Sequence, residues 1–173
     1  MSVGDRFSFN EEGIPTKNDL IEAYAILRKA FRFVCDVDIP YLAGYSEDGT
    51  TIYFDRSLPQ FGEIDRIRLN IWITCAAHEM REKMVLERVK SEHYDGAHTF
   101  ANSDEDDLVV AYGVTVKSYN AWFKPYVDAC DARKHYPEVP ADLDLTPYHD
   151  SQDTKVIERM TFVKNPGREV TLD

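Results

Sequence analysis

Nowhere does an apolar run approach the roughly 20 residues that a membrane-spanning helix requires, so no membrane partner is expected. Basic residues are scarce beside acidic ones, 20 against 31, and the net charge of -11 repels phosphate backbones, which sets nucleic acid aside as a partner. Cysteine is rare as well. Cys35, Cys75 and Cys130 are odd in number and far apart, which excludes a disulfide framework or a cysteine zinc cluster and suits buried free thiols. The eight glycines are scattered, so no Gly-rich loop is present to cradle a phosphate. No serine or cysteine sits in a recognisable strained turn of the kind that exposes a nucleophile. Residues 1–12 are polar and lack the charged-then-apolar layout of a secretory signal, and a cytoplasmic location is expected.

What is present is enough for one domain with a real core: 173 residues, 43% hydrophobic and 12% aromatic. The expected fold class is α+β, mainly helical with a small antiparallel sheet. Leu20, Tyr24, Leu27, Phe31 and Val34 recur at helical spacing and predict a first helix over residues 17–34. Asp48-Gly49 separates Tyr41-Leu42-Ala43-Gly44-Tyr45 from Thr51-Ile52-Tyr53-Phe54, which predicts a hairpin, followed by a connection to residue 64. A central helix is expected over 65–89, then an antiparallel helix over 94–112 closed by Gly113, with the hairpin against them. A third helix is expected over 115–134, kinked at Pro125. The whole of 1–173 reads as a single domain. Residues 136–173, rich in Pro and Asp, are expected to pack as an extended strap and tail, with a short element near 154–163 and a frayed end.

The central helix carries the chemistry. One stripe is Leu69, Ile73, Ala76, Met80 and Met84; its neighbour is Ile71, Cys75, His78, Glu82, Val85 and Val89, apolar except at His78 and Glu82. On the next helix Tyr94, His98, Ala101, Glu105, Leu108 and Tyr112 form a stripe that His98 and Glu105 interrupt. Residues four apart are turned by about 40° on a helix, so His78 and Glu82 share a face and can converge on one ion. Glu79 leans beside them, where it can deprotonate a water activated by that ion. His98 supplies a third donor, and two His with one Glu is a common catalytic zinc set. The same residues also suit a plain charge-assisted pair between His78 and Glu82, with Arg81 and Lys83 solvated and His98 on a backbone carbonyl. Glu105, inside Asp104-Glu105-Asp106-Asp107, reads as part of a solvated acidic face. His149-Asp150 raises metal-dependent phosphohydrolases, but it follows Thr146-Pro147 in an extended region rather than on a core helix.

His78-Glu79-x-x-Glu82 on one helix, Thr51-Ile52-Tyr53-Phe54 before it, and His98 or Glu105 on the helix after it together resemble the zincin-like metallopeptidases. Their pattern is an edge strand, a His-Glu-x-x-His helix and a second helix with a third ligand. The resemblance covers residues 41–112, and a small phage- or mobile-element-type zincin-like fold is most similar. Residues 39–150 also resemble bacterial and phage proteins with no established activity. Position 82 departs from the pattern, carrying Glu where the family has its second His. The resemblance implies a zincin-like core helix pair and a zinc-dependent, peptidase-like hydrolase in which His78, Glu82 and His98 hold Zn²⁺ and Glu79 is the general base. A peptide or protein is the implied partner, in the host cytoplasm if the chain is phage-encoded. The alternative is a non-catalytic structural or interaction protein that retains the fold and uses its aromatic surface for a partner.

Overall fold

Strand-forming and helix-forming segments alternate along the chain, and the resulting architecture is α+β. The computed structural model describes residues 22, 29–89, 94–148 and 151–172. The described elements are β1 (Arg32–Val37), β2 (Ala43–Tyr45), β3 (Thr51–Asp55), β4 (Phe61–Ile64), β5 (Ile67–Asn70), α1 (Ile71–Val89), α2 (Tyr94–Ala111), α3 (Val116–Asp131), β6 (Tyr136–Pro140), α4 (Ser151–Ile157), β7 (Met160–Val163) and β8 (Arg168–Val170). Two compact units result: one contains Phe61–Trp122, and the other combines Phe31–Gln60 with Phe123–Asp173.

In the first unit the predicted helix over 65–89 starts later, at Ile71, because residues 65–70 complete a hairpin. β4 and β5 pair antiparallel with Ile64 opposite Ile67, leaving Asp65-Arg66 as a two-residue loop. Both loop residues have positive φ, 53° and 68°, as a type I′ turn requires. The first turns of α1 are apolar on nearly all sides, and Ile71, Trp72, Ile73, Cys75 and Ala76 are all buried, as is Met80 one turn on. α2 runs as expected and ends on a Schellman motif. Gly113, at φ 87°, donates to the Val110 carbonyl at 2.9 Å while Val114 donates to Val109 at 3.2 Å, and Val114 is buried. Thr115 caps α3, its Oγ1 accepting from the Ser118 amide at 3.1 Å. Pro125 lies inside α3 as the sequence indicates.

The second unit holds a four-stranded sheet in the order β2-β3-β1-β8. The predicted hairpin is present as β2-β3, with Tyr45 opposite Ile52. β3 is an inner strand, paired on its other side in parallel with β1, so it is not the edge strand that the zincin pattern implies. The predicted first helix lies mostly outside the described residues, and its end is corrected: Arg32–Val37 is strand, since Phe33-Val34-Cys35 and Val37 are aromatic or strand-favouring and buried. Nor does the tail fray: β8 pairs antiparallel with β1. Gly167 makes this approach possible. Its φ is 80°, and a Cβ there would stand 2.4 Å from the Cys35 carbonyl oxygen. Within 136–172, β6 pairs in parallel with β7, and α4 precedes β7. His149-Asp150 lies outside the described residues.

This unit also buries a charge network that nothing in the sequence announced. Asp55 is 1% exposed and receives Arg133 on both oxygens, Nη1 to Oδ2 at 2.7 Å and Nη2 to Oδ1 at 2.5 Å. Its Oδ2 also accepts the Ile39 amide at 2.9 Å, and its Oδ1 accepts the Ser57 amide at 2.8 Å. Asp38, equally hidden, accepts the Glu138 amide at 2.8 Å and pairs with Arg56 Nε at 2.7 Å. Every strong acceptor is thereby met by a donor.

Two stability measurements check this packing. Arg133→Met leaves Asp55 as an uncompensated buried charge and should cost about 3–5 kcal/mol in a denaturant midpoint; a loss under about 1 kcal/mol would show the pair to be dispensable. Met80→Ala should cost roughly 2–5 kcal/mol through lost contacts and a cavity, and an unchanged midpoint would mean that α1 presents a different face.

Candidate metal centre

The pairing of α1 with α2 brings His78, Glu82 and His98 together. His78 meets Glu105, Arg81 meets Asp104, and Glu82 meets His98, so partner numbers fall as the position along α1 rises. The helices are antiparallel, as their short connection suggested. His78 and His98 lie on the same side of this pair, their ring centroids 5.0 Å apart and nearly edge to face.

One carboxylate oxygen stands between the two imidazoles. Glu82 Oε2 is 3.7 Å from His78 Nε2 and 3.1 Å from His98 Nδ1. Glu82 is 3% exposed and His78 9%, whereas the His98 side chain keeps 44% of its surface, which leaves one flank of the group accessible. One donor atom from each of the three residues lies within 4.8 Å of the others. Tetrahedral zinc sites with nitrogen and oxygen ligands at roughly 2.0–2.2 Å set their donors about 3.3 Å apart. The two separations from Glu82 bracket that figure and the third is within 4.8 Å, so the residue types and their spacing could hold a divalent ion.

The other nitrogen of His78 is held from the opposite side. Nδ1 lies 2.9 Å from Glu105 Oε2, and Glu105 Oε1 accepts a hydrogen bond from Tyr119 Oη at 2.6 Å. Thr74 Oγ1 stands 2.8 Å from the same Tyr119 oxygen. Glu105 is therefore not part of a solvated acidic face. Its side chain keeps 15% of its surface and is bonded at both oxygens, while Asp107 is exposed. Tyr119 reads in the sequence as one more aromatic of the third helix, and Thr74 as a small polar residue among apolar ones; neither carries a signal of its own. Arg81, expected to be solvated, pairs with Asp104 at 3.1 Å.

Electrostatics follow from this crowding. Burial alone would lower the pKa of His78, but the hydrogen bond to Glu105 and the Glu82 carboxylate close to Nε2 outweigh it and push the imidazole up to about 10. Burial would raise the pKa of Glu82, and the hydrogen bonds from His78 and His98 reverse that and hold it well below the usual carboxylate range. Glu79 makes no hydrogen bond or ion pair among the described residues. Burial, with Glu82 and Glu105 nearby, pushes its carboxyl well upward. The Cys75 thiol is driven up by burial and by Glu105 and Glu79, which keeps it protonated and out of any ligand set. All three cysteines are free and buried, as expected.

Comparisons with protein-family models, with curated proteins and with solved structures return no match for this chain. Among the described residues no helix is long and apolar enough to cross a membrane.

A pH titration of metal-free stability checks the site. The stabilisation from His78 is fully present below its unfolded value near 6.5 and is lost as pH rises through about 10. That from Glu82 is present above 4.5 and is lost as pH falls below it. Urea midpoints should therefore be highest at mildly acidic pH and decline towards both ends, and His78→Gln should flatten the alkaline arm. A midpoint that climbs between pH 7 and 9 would contradict the arrangement.

Proposed function

We propose that the protein is a zinc-dependent hydrolase acting on peptide-type bonds, with His78, Glu82 and His98 holding Zn²⁺ and Glu79 serving as general base. The observation that carries this reading is the convergence of the three donors within 4.8 Å on an antiparallel helix pair. Bound there, zinc would polarise a carbonyl and lower the pKa of a water molecule. The chain's own residues do the rest. The Glu82 carboxylate and the two imidazoles form a set of mixed charge, and the half-exposed His98 leaves a side from which substrate can approach. Glu79 follows His78 directly, has no competing hydrogen bond among the described residues, and is free to take the proton of the attacking water. It then returns that proton to the leaving amine as the carbon–nitrogen bond breaks. The zincin-like resemblance agrees with this distribution of roles, and the expected setting is the cytoplasm, with a peptide or protein as substrate.

Protein purified without a histidine tag in zinc-supplemented medium should carry one zinc per chain, and His98→Ala should weaken binding sharply. Glu79→Gln should keep both the metal and the fold while removing hydrolysis by roughly 10²- to 10⁴-fold, the span of general-base contributions. Only trace metal in the unmodified protein would favour the ion-pair reading. Full zinc with a Glu79→Gln variant as effective as the parent would favour the non-catalytic interaction protein.

A further inference from the structure

We infer that Glu105, held in place by Tyr119 and Thr74, is a positioning residue of the metal centre: it fixes the His78 ring so that Nε2 is the nitrogen turned towards Glu82. The inference rests on the metal reading above and goes beyond it by assigning work to three residues outside the ligand set. The two nitrogens of an imidazole point away from each other. A carboxylate 2.9 Å from Nδ1 is therefore on the far side of the ring from Glu82 and cannot ligate the same ion without abandoning the ring. That excludes Glu105 as a third or fourth ligand and leaves it as the group that orients one.

Proton accounting gives the chain of bonds a direction. An ionised carboxylate is acceptor-only, so Nδ1–H of His78 donates to Oε2 while the Tyr119 hydroxyl donates to Oε1 at 2.6 Å. Tyr119 has no second proton, so across the 2.8 Å to Thr74 it accepts, and Thr74 donates. Thr74 Oγ1 shares that proton with the Ile71 carbonyl, also 2.8 Å away, and this carbonyl inside α1 has the helical amide of residue 75 to accept as well. Tyr119 is 3% exposed and Thr74 fully buried, so water does not offer these groups alternatives. With Nδ1 committed to its proton, the lone pair of neutral His78 resides on Nε2 and faces a carboxylate oxygen 3.7 Å away. In that neutral form two acceptors face each other, an arrangement that a cation in place of the Nε2 proton would relieve. A carboxylate on the outer nitrogen of a ligating histidine has this effect on ring orientation and ligand basicity.

The test compares zinc affinity, by competition with a chromophoric chelator, in the unmodified protein and in Glu105→Gln, Tyr119→Phe and Asp107→Asn. Asp107 is exposed on the same helix, so its variant removes an equal charge without touching the ring. Expected is a loss of roughly 10- to 100-fold in Glu105→Gln, a smaller loss in Tyr119→Phe and none in Asp107→Asn. Proton NMR of metal-free protein adds a readout that bulk stability does not move: a downfield, slowly exchanging His78 Nδ1–H signal, present in the unmodified protein and lost in Glu105→Gln. Should Glu105→Gln not fold, Tyr119→Phe decides by the same two readouts. Glu105→Gln that binds zinc as tightly as the parent overturns the positioning role while the metal centre stands, and so does an equal loss in Asp107→Asn. An unmodified protein that binds no zinc overturns the metal reading itself.

Discussion

A carboxylate with almost no access to water, Glu82, sets the terms for the α1–α2 pair. Moving an ion of this size out of water costs several kcal/mol, and the cost is met only when good donors surround it. Its two donors sit on different helices, His78 one turn earlier on α1 and His98 on α2. The register between the helices is fixed by that division. Sliding α2 by one turn moves His98 by about 5.4 Å and leaves Glu82 unpaired, and the same slide separates Glu105 from His78 and Asp104 from Arg81. Apolar contacts alone tolerate such a slip far better, because leucine-like surfaces are interchangeable and charges are not.

The convergence of His78, Glu82 and His98 was legible because they interrupt otherwise apolar rows, and a helix turns such interruptions into a shared face. Glu105 interrupts a row too, yet its acidic neighbours disguised it; only the packing of α1 separates the buried member from exposed Asp107. Tyr119 was hidden more completely, since a tyrosine at helical spacing looks the same whether it fills a core or bonds a carboxylate. Among the elements, the β2-β3 hairpin announced itself through Asp48-Gly49, whereas β4-β5 did not. Its I′ turn uses Asp65-Arg66, and the arginine at positive φ gives no glycine signal, so residues 65–70 merged with the helical pattern that follows. β8 escaped for a different reason: a three-residue strand acquires meaning from its partner, and β1 lies far back in the chain.

The second unit obeys the same rule with different chemistry. Asp55 follows an apolar strand and Asp38 follows another, positions where a sequence suggests an exposed end. Arg133 sits in Asp131-Ala132-Arg133-Lys134, which suggests solvent. Brought together, they bury their charges with bidentate geometry and backbone amides on the remaining lone pairs. Arginine suits this task and histidine does not, because a guanidinium remains charged at any accessible pH and offers parallel donors. The contrast separates the two clusters by role. A pair whose lone pairs are already taken by donors is suited to holding structure, while imidazoles, which exchange protons and carry lone pairs, are suited to exchange with a ligand.

That exchange has a definite charge balance. Three carboxylates, Glu79, Glu82 and Glu105, gather around two imidazoles. On His78 a proton, or a divalent ion in its place, answers part of that negative charge. Glu79, with no hydrogen bond among the described residues, is the carboxyl that burial and its acidic neighbours push upward, so it binds a proton more readily than a solvated glutamate does. Loading a metal as proposed therefore sets it against a proton that His78 binds more tightly than an ordinary histidine does. The hydrogen bonds that orient His78 also raise that competition, so affinity for the ion and selectivity against protons pull in opposite directions at the same nitrogen. Under the proposed reading a bound cation would favour the ionised form of Glu79, while Glu82 and Glu105 nearby keep that carboxylate a better proton acceptor than a solvated one.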